Sequence, residues 1–178
     1  RVRYLNIKGT LEELSNNGVI PIINENDVVS TEEIKFGDND NLASMIANLV
    51  DADLLIILTD QKGMYDKNPD SYKDAKLINR IKIEDLKEFD SDFSTHSDIG
   101  TGGFITKIQA AKRADLSNTY TVIANGLEKN ILNNIFTNND AGTLFIPSEK
   151  KISAKKQWLD TTDSRGCLLY TSDAADDP

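Results

Sequence analysis

Apolar residues recur along this chain in two spacings, one typical of helices and the other of buried strands. The helical spacing i, i+3, i+4, i+7 is formed by Leu42, Met45, Ile46 and Leu49. The continuous apolar run at 54–58 predicts a strand covered on both faces, as in a parallel sheet. The run at 19–23 also predicts a buried strand, although Pro21 has no N–H to donate to a neighbouring strand.

Further elements follow from turn residues and shorter patterns. A helix is predicted to begin at a capping box formed by Thr10 and Glu13 and to end at Gly18. The other predicted helices cover 83–89, 104–114 and 128–136, the strands cover 119–124 and 143–146, and a hairpin covers 28–36. Met45, Phe104 and Phe136 are expected in the core. Strands that alternate with helices predict an α/β fold with a mostly parallel sheet.

Composition excludes several classes of protein. Lys and Arg number 20 against 29 Asp and Glu, a net charge of −9, so a general nucleic-acid binder with a basic face is not expected. A single Cys excludes a disulfide framework, and a single His, His96 (expected in an exposed loop), argues against a histidine metal site. No apolar run approaches the ~18 residues of a membrane span. We expect a cytoplasmic domain with no membrane or nucleic-acid partner.

The two ends of the chain differ from the rest. Arg1 opens the sequence without a Met or an apolar signal segment, so we expect a piece of a longer protein. Residues 160–178 lack periodicity and contain the lone Cys167. We expect this segment to be a disordered or foreign tail.

Polar clusters stand where an open α/β sheet binds ligands, at the carboxyl ends of predicted strands. Thr59 and Asp60 follow one strand, and Asn125 and Gly126 follow another, where a simple turn is the favoured interpretation. Eight of the nine residues in 24–27 and 37–41 are amides or carboxylates, more than helix capping needs. Such a set suits a small zwitterion, because carboxylates bind an ammonium while amides and helix N–H groups bind a carboxylate.

A glycine-rich turn at 100–103 precedes the helix predicted at 104–114. Its backbone N–H groups can approach phosphate oxygens, although the segment is neither a Walker A loop nor a G-x-G-x-x-G fingerprint. Lys107 lies one helical turn beyond Gly103, so its side chain can extend back along the helix and bring the ammonium close to the glycine-rich turn. The alternative is an ordinary surface lysine.

Taken in order, four segments resemble one family. They are 19–27, 37–42, 58–65 and 100–107. Together they are similar to the glutamate 5-kinases of the amino acid kinase family, over about residues 1–159. The resemblance implies a three-layer αβα sandwich and transfer of the ATP γ-phosphoryl group to the γ-carboxylate of L-glutamate, forming glutamyl 5-phosphate, the first step of proline biosynthesis.

The same resemblance assigns roles residue by residue. Asp27 and Asn39 fall on glutamate-binding positions, and Asn24 belongs to the same polar cluster. Asp40 resembles a carboxylate that orients catalytic lysines, and Lys107 is the expected charge stabiliser. The positions that correspond to ATP-binding residues are Thr59, Asp60, Thr101, Gly102, Gly103, Phe104, Ile105, Thr106 and Lys107. Mg²⁺ is expected on the nucleotide, with no metal ligand among the named residues.

The chain departs from this family in its extent. We expect residues 1–159 to be the C-terminal part of a kinase domain, without the family's N-terminal residues and without a C-terminal PUA domain, and inactive by itself. At full length the resemblance implies a homo-oligomer with feedback by proline. Two alternatives stay open: another amino acid kinase, acting on aspartate, acetylglutamate, carbamate or a nucleoside monophosphate, and a non-catalytic amino acid-binding module.

Overall fold

A computed structural model of the chain describes residues 2–24, 39–86, 103–137 and 141–148. The predicted hairpin at 28–36, His96 and the predicted tail from residue 160 lie outside the described residues, so these predictions and the domain boundary at 159 remain untested. Within the described ranges, no helix is both long and apolar enough to cross a membrane.

The described part contains four helices and four strands. The helices are α1 (Val2–Asn16), α2 (Asn39–Leu49), α3 (Gly103–Asp115) and α4 (Ile131–Thr137), with a 3₁₀ turn at Ile83–Asp85. The strands are β1 (Leu54–Thr59), β2 (Arg80–Lys82), β3 (Tyr120–Asn125) and β4 (Thr143–Ile146). The predicted helices at 42–49 and 104–114 and the predicted strands at 54–58, 119–124 and 143–146 are confirmed within one to three residues. The predicted helix at 83–89 is described only as the 3₁₀ turn and Leu86, and the one at 128–136 begins at Ile131.

The four described strands form one sheet in the order β1-β3-β4-β2. β1 pairs with β3 in parallel, from Leu54 opposite Tyr120 to Thr59 opposite Asn125. β2 also pairs in parallel with β4, whereas β3 and β4 are antiparallel. The expected mostly parallel sheet is therefore confirmed, with one antiparallel pairing between the two parallel pairs.

Helices pack on both faces of the sheet because its strands are apolar on both faces. The larger core joins β1 to α2 and α3, with Leu55 and Ile57 of β1 beside Phe104 and Ile108 of α3. The opposite face carries a smaller cluster with Val122, Ala124 and Ile131 of α4. Phe104 is in the core as expected, but Met45 is half-buried and the prediction for Phe136 is wrong. The Phe136 side chain is 71% exposed, because the short α4 covers little of this face.

The predicted start of the first helix is wrong. α1 runs through Thr10, whose hydroxyl donates to the Asn6 carbonyl one turn earlier instead of capping a new helix. The helix continues because no residue from Leu5 to Glu13 breaks it, and Gly9 costs only ~1 kcal/mol in a helix interior. The predicted end is confirmed, since Gly18 adopts a φ of +70° and Val19 N–H donates to the Leu14 carbonyl.

One predicted strand, at 19–23, is wrong, and one observed strand, β2, was not predicted. Residues 19–24 form no strand, and Ile22 is 96% exposed. Hydrophobicity alone cannot make a strand, because its N–H and C=O groups need a partner, and Pro21 has no N–H to offer. The sequence pattern also misses β2, in which Ile81 is flanked by Arg80 and Lys82 and gives too short an alternation to recognise.

The backbone after β1 is tied to β4 through a buried hydroxyl. Met64 N–H donates to Thr143 Oγ1 at 2.8 Å, and this hydroxyl donates to the Ile78 carbonyl at 2.6 Å. Gly63 passes beside it with a φ of +150°, and a Cβ there would lie 2.5 Å from Thr143 Oγ1. Only glycine fits where the backbone passes so close to Thr143, and this close contact fixes the direction in which the chain leaves β1.

We therefore expect Gly63→Ala to lower the free energy of unfolding of the chain by about 1–3 kcal/mol, because it adds both a steric clash and backbone strain. Gly9→Ala is the matched control. Its Cβ would meet nothing within 4 Å in the middle of α1, so this change should stabilise by roughly 0.5–1 kcal/mol. Urea denaturation of both variants measures the difference, and a Gly63→Ala chain as stable as the parent would contradict the argument.

Candidate functional site

The N-termini of α2 and α3 lie at the carboxyl edge of β1 and β3. α2 is followed by a turn at 50–53 that reverses the chain into β1, and α3 is followed by a similar turn at 116–119 that reverses it into β3. Each helix packs on the strand that follows it, and the two helices pack on each other. The start of each helix is therefore at the edge where Thr59 and Asn125 end their strands, which is where α/β sheets bind ligands.

An ion pair joins the starts of these two helices. Lys107 Nζ donates to Asp40 Oδ2 at 2.9 Å, although the residues are 67 positions apart in the sequence. The Lys107 side chain is 16% exposed and that of Asp40 is 17% exposed. A pair so largely shielded from water is held much more firmly than a surface salt bridge.

Thr106 contributes a second hydrogen bond to the same carboxylate oxygen. Its hydroxyl donates to Asp40 Oδ2 at 2.8 Å. Two neighbouring side chains of α3 thus converge on one atom of α2. Asp40 lies in the first turn of α2, where the helix dipole favours an ionised carboxylate. The arrangement holds a lysine ammonium close to the first turn of α3, whose backbone N–H groups lack helical acceptors.

Thr59 and Asp60 extend the edge at the end of β1. The Thr59 hydroxyl donates to Asp60 Oδ1 at 3.0 Å, and both groups remain accessible. Across the sheet, Asn125 Oδ1 accepts the Leu127 N–H at 2.9 Å, which closes a local turn. This contact agrees with the interpretation of Asn125 and Gly126 as turn residues.

A small depression opens between this edge and the start of α3. Its lining includes Gln61, Tyr65, Lys67 and Phe104. The loop that forms one wall is closed by an ion pair between Lys67 Nζ and Asp74 Oδ2, 2.6 Å apart. The hydrogen bond between them raises the pKa of Lys67 and lowers the pKa of Asp74 from their ordinary values.

A larger cleft of about 500 Å³ runs along α2 and β1, which is the outer strand of the sheet among the described residues. Asn24 and Asn39, two of the residues predicted to bind substrate, both line it. The rest of the lining is mainly apolar, with Ile23 and Leu42 among its members. The structure thus brings one residue of each predicted polar cluster to one cleft.

Apart from Asn24 and Asn39 in the cleft, the predicted site residues fall into four groups. Asp40, Thr106 and Lys107 are in direct contact, and Thr59 and Asp60 lie at the neighbouring strand end. Gly103 begins α3 and Ile105 is exposed. Phe104 belongs to the core and also lines the small depression. Asp27, Thr101 and Gly102 lie outside the described residues.

Sequence reasoning did not foresee what the Thr106 side chain does. It grouped Thr106 with the nucleotide positions, whereas the hydroxyl is directed to Asp40. The available signal was a hydroxyl residue directly before the lysine, but its direction cannot be read without the helix that faces it.

Resident metal ligands are not apparent in the part of the chain that the structure describes. No group of three or more His, Cys, Asp or Glu side chains there could hold a metal ion. Asp40 Oδ2 already accepts two hydrogen bonds.

Comparison with known proteins gives consistent matches. Residues 1–125 match the profile of the amino acid kinase family. The chain is 46% identical over 176 residues to a glutamate 5-kinase of Chromobacterium violaceum, covering 98% of the chain and 47% of that protein. It is 50% identical over 159 residues to a glutamate 5-kinase of Thermoanaerobacter sp., covering 89% of the chain and 43% of that protein. The chain thus spans about half the length of the curated relatives it matches.

Among solved structures, the UMP kinase of Bacillus anthracis aligns with a TM-score of 0.58 at 15% identity. The alignment covers 79% of this chain and 51% of the UMP kinase. At this identity the likeness concerns the fold alone. It supports the α/β sandwich that the described helices and sheet indicate.

Proposed function

The chain belongs to the amino acid kinase family, and we propose that the protein containing it transfers the γ-phosphoryl group of ATP to the γ-carboxylate of L-glutamate. The observation that carries phosphoryl transfer is the shielded pair of Lys107 and Asp40 beside the N-terminus of α3. Glutamate as the acceptor is supported by the 46–50% identity to proteins named glutamate 5-kinase.

The chemistry requires few protein groups. A γ-carboxylate oxygen of glutamate is already a nucleophile at neutral pH, so no general base is needed. It bonds to the γ-phosphorus of ATP while the bond from that phosphorus to the bridging oxygen breaks, which releases ADP and forms an acyl phosphate. Catalysis then consists of aligning two anions and stabilising the charge that spreads over the phosphoryl oxygens.

The named residues suit these tasks. The Lys107 ammonium supplies positive charge, and Asp40 keeps it from folding away toward solvent. The first N–H groups of α3 can donate hydrogen bonds to phosphate oxygens. Thr59 and Asp60 are the candidates for the nucleotide at the end of β1, and Asn24, Asn39 and Asp27 are the candidates for glutamate. ATP enters as its Mg²⁺ complex, so the metal is part of the substrate.

An acceptor panel tests the proposal. The full-length protein that contains this chain is incubated with γ-labelled ATP and one acceptor at a time, and the labelled products are separated directly by chromatography. We expect label on glutamate and none on L-glutamine, which has the same length but lacks the γ-carboxylate. Label on aspartate, acetylglutamate, carbamate or UMP instead would contradict glutamate as the substrate.

The non-catalytic alternative has its own outcome. Calorimetry that detects binding of an amino acid but none of ATP, together with no transfer to any acceptor, would favour a binding module. For the whole protein, the resemblance further implies cytoplasmic location, a homo-oligomer and feedback by proline. Size-exclusion chromatography and assays with added proline measure the last two.

A further inference from the structure

We propose that Thr106 is a positioning residue whose hydroxyl holds the Asp40 carboxylate in the orientation that keeps the Lys107 ammonium in place. The contact is a direct hydrogen bond of 2.8 Å from Thr106 Oγ1 to Asp40 Oδ2. The effect on catalysis rests on the proposed function, but the effect on Lys107 does not.

One ion pair cannot fix this geometry without help. The carboxylate of an aspartate rotates about a broad torsion, and either of its oxygens can accept from a lysine. A lysine ammonium sits at the end of a flexible chain of four methylenes. A second donor that binds the same oxygen removes the rotation, because Thr106 and Lys107 are consecutive residues of one helix and approach Asp40 Oδ2 from fixed directions.

The side chain of threonine is well suited to this task. In helices a threonine hydroxyl commonly bonds a backbone carbonyl of the preceding turn, and the β-branch leaves it few rotamers. Here the hydroxyl donates to Asp40 of α2. A hydroxyl has one proton to donate, and the Asp40 carboxylate receives it. Thr106 therefore acts on the nucleotide through Asp40 and Lys107 and not by donating to the nucleotide itself.

Three variants of the full-length protein test the effect on catalysis. Thr106→Val keeps the shape and removes the hydroxyl, whereas Thr106→Ser keeps the hydroxyl. Thr119→Val is the matched control, because the buried Thr119 hydroxyl donates to the Ala52 carbonyl at 2.8 Å in a turn away from Lys107.

A hydrogen bond to a charged group commonly contributes enough to change a rate about ten- to a hundredfold. We therefore expect Thr106→Val to lower kcat by this factor with little change in the KM for ATP. Thr106→Ser should retain most of the activity, and Thr119→Val should change stability but not kcat. A raised KM for ATP with unchanged kcat in Thr106→Val would overturn the proposal, because it would indicate direct contact with the nucleotide.

A second measurement uses the full-length protein and needs no activity. The Lys107 ammonium signal is identified in nitrogen-15 NMR spectra by its loss in Lys107→Met, and the exchange of its protons with water is measured. We expect slow exchange in the parent and in Thr106→Ser, and clearly faster exchange in Thr106→Val. Unchanged exchange in Thr106→Val would overturn the proposal. Faster exchange, combined with no phosphorylation of glutamate even by the parent, would support the positioning role and contradict the proposed function.

Discussion

Replacing Lys107 by Met in the full-length protein is expected to lower kcat for glutamate phosphorylation by roughly 10²–10³, the usual loss when one preorganised charge stabiliser is removed. Met retains the apolar stem and removes only the charge. The KM for glutamate should change little, because the ammonium stabilises charge that develops in the transition state. Steady-state kinetics with both substrates varied measures the two effects separately.

Lys112→Met is the control for this experiment. Lys112 lies on the same helix, in the last turn of α3, and so tests whether loss of any positive charge on α3 has the same effect. We expect a kcat within about twofold of the parent, because the last turn of α3 lies at the far end of the helix from its start. If Lys107→Met has the same kcat as Lys112→Met, Lys107 has no catalytic role and is an ordinary surface lysine.

Asp40→Asn should impair both the reaction and the stability of the fold. The substitution keeps the shape but leaves the Lys107 ammonium without its anionic partner at 16% exposure. Removing one partner of a buried ion pair lowers the free energy of unfolding by about 3–5 kcal/mol. Because this pair keeps some contact with solvent, we expect a loss near the lower end of that range. We expect unfolding at lower urea concentration and a fall in kcat of roughly 10² or more, since an unanchored lysine no longer points at the transferred group.

Asp51→Asn is the matched control for stability. It breaks the Lys8–Asp51 pair, which is as short, at 2.7 Å, but has an Asp51 side chain that is 51% exposed. An exposed pair contributes at most about 1 kcal/mol. If both variants lose the same small amount of stability, Asp40 is not part of a shielded pair.

The double variant Asp40→Asn with Lys107→Met tests whether Asp40 and Lys107 contribute to kcat together or independently. If Asp40 acts only by holding Lys107, the double variant should be about as slow as Lys107→Met alone. Multiplied losses would mean that Asp40 has a role of its own at the reacting groups.

The predicted and observed elements agree best where a local sequence pattern is enough to decide whether a helix or a strand forms. The runs at 54–58 and 119–124 became β1 and β3 because β-branched and apolar residues fit a strand buried on both faces. The spacing at 42–49 became α2, since its apolar stripe meets α3 and β1. They disagree at 19–24 and at Arg80–Lys82, where the presence of a hydrogen-bonding partner, and not hydrophobicity, decides whether a strand forms.

The sequence by itself determined α2, α3, β1, β3 and β4, the α/β class and, through a resemblance, the residue types of a kinase site. The resemblance gave Asp40 the role of orienting catalytic lysines and Lys107 the role of stabilising charge, without saying that these two residues form a pair. Only the tertiary structure decided that they touch, since 67 residues separate them and the contact depends on how α2 and α3 pack. It also decided that the Thr106 hydroxyl serves Asp40, because the direction of a hydrogen bond is set by the element that faces it and is not encoded in the residues beside it.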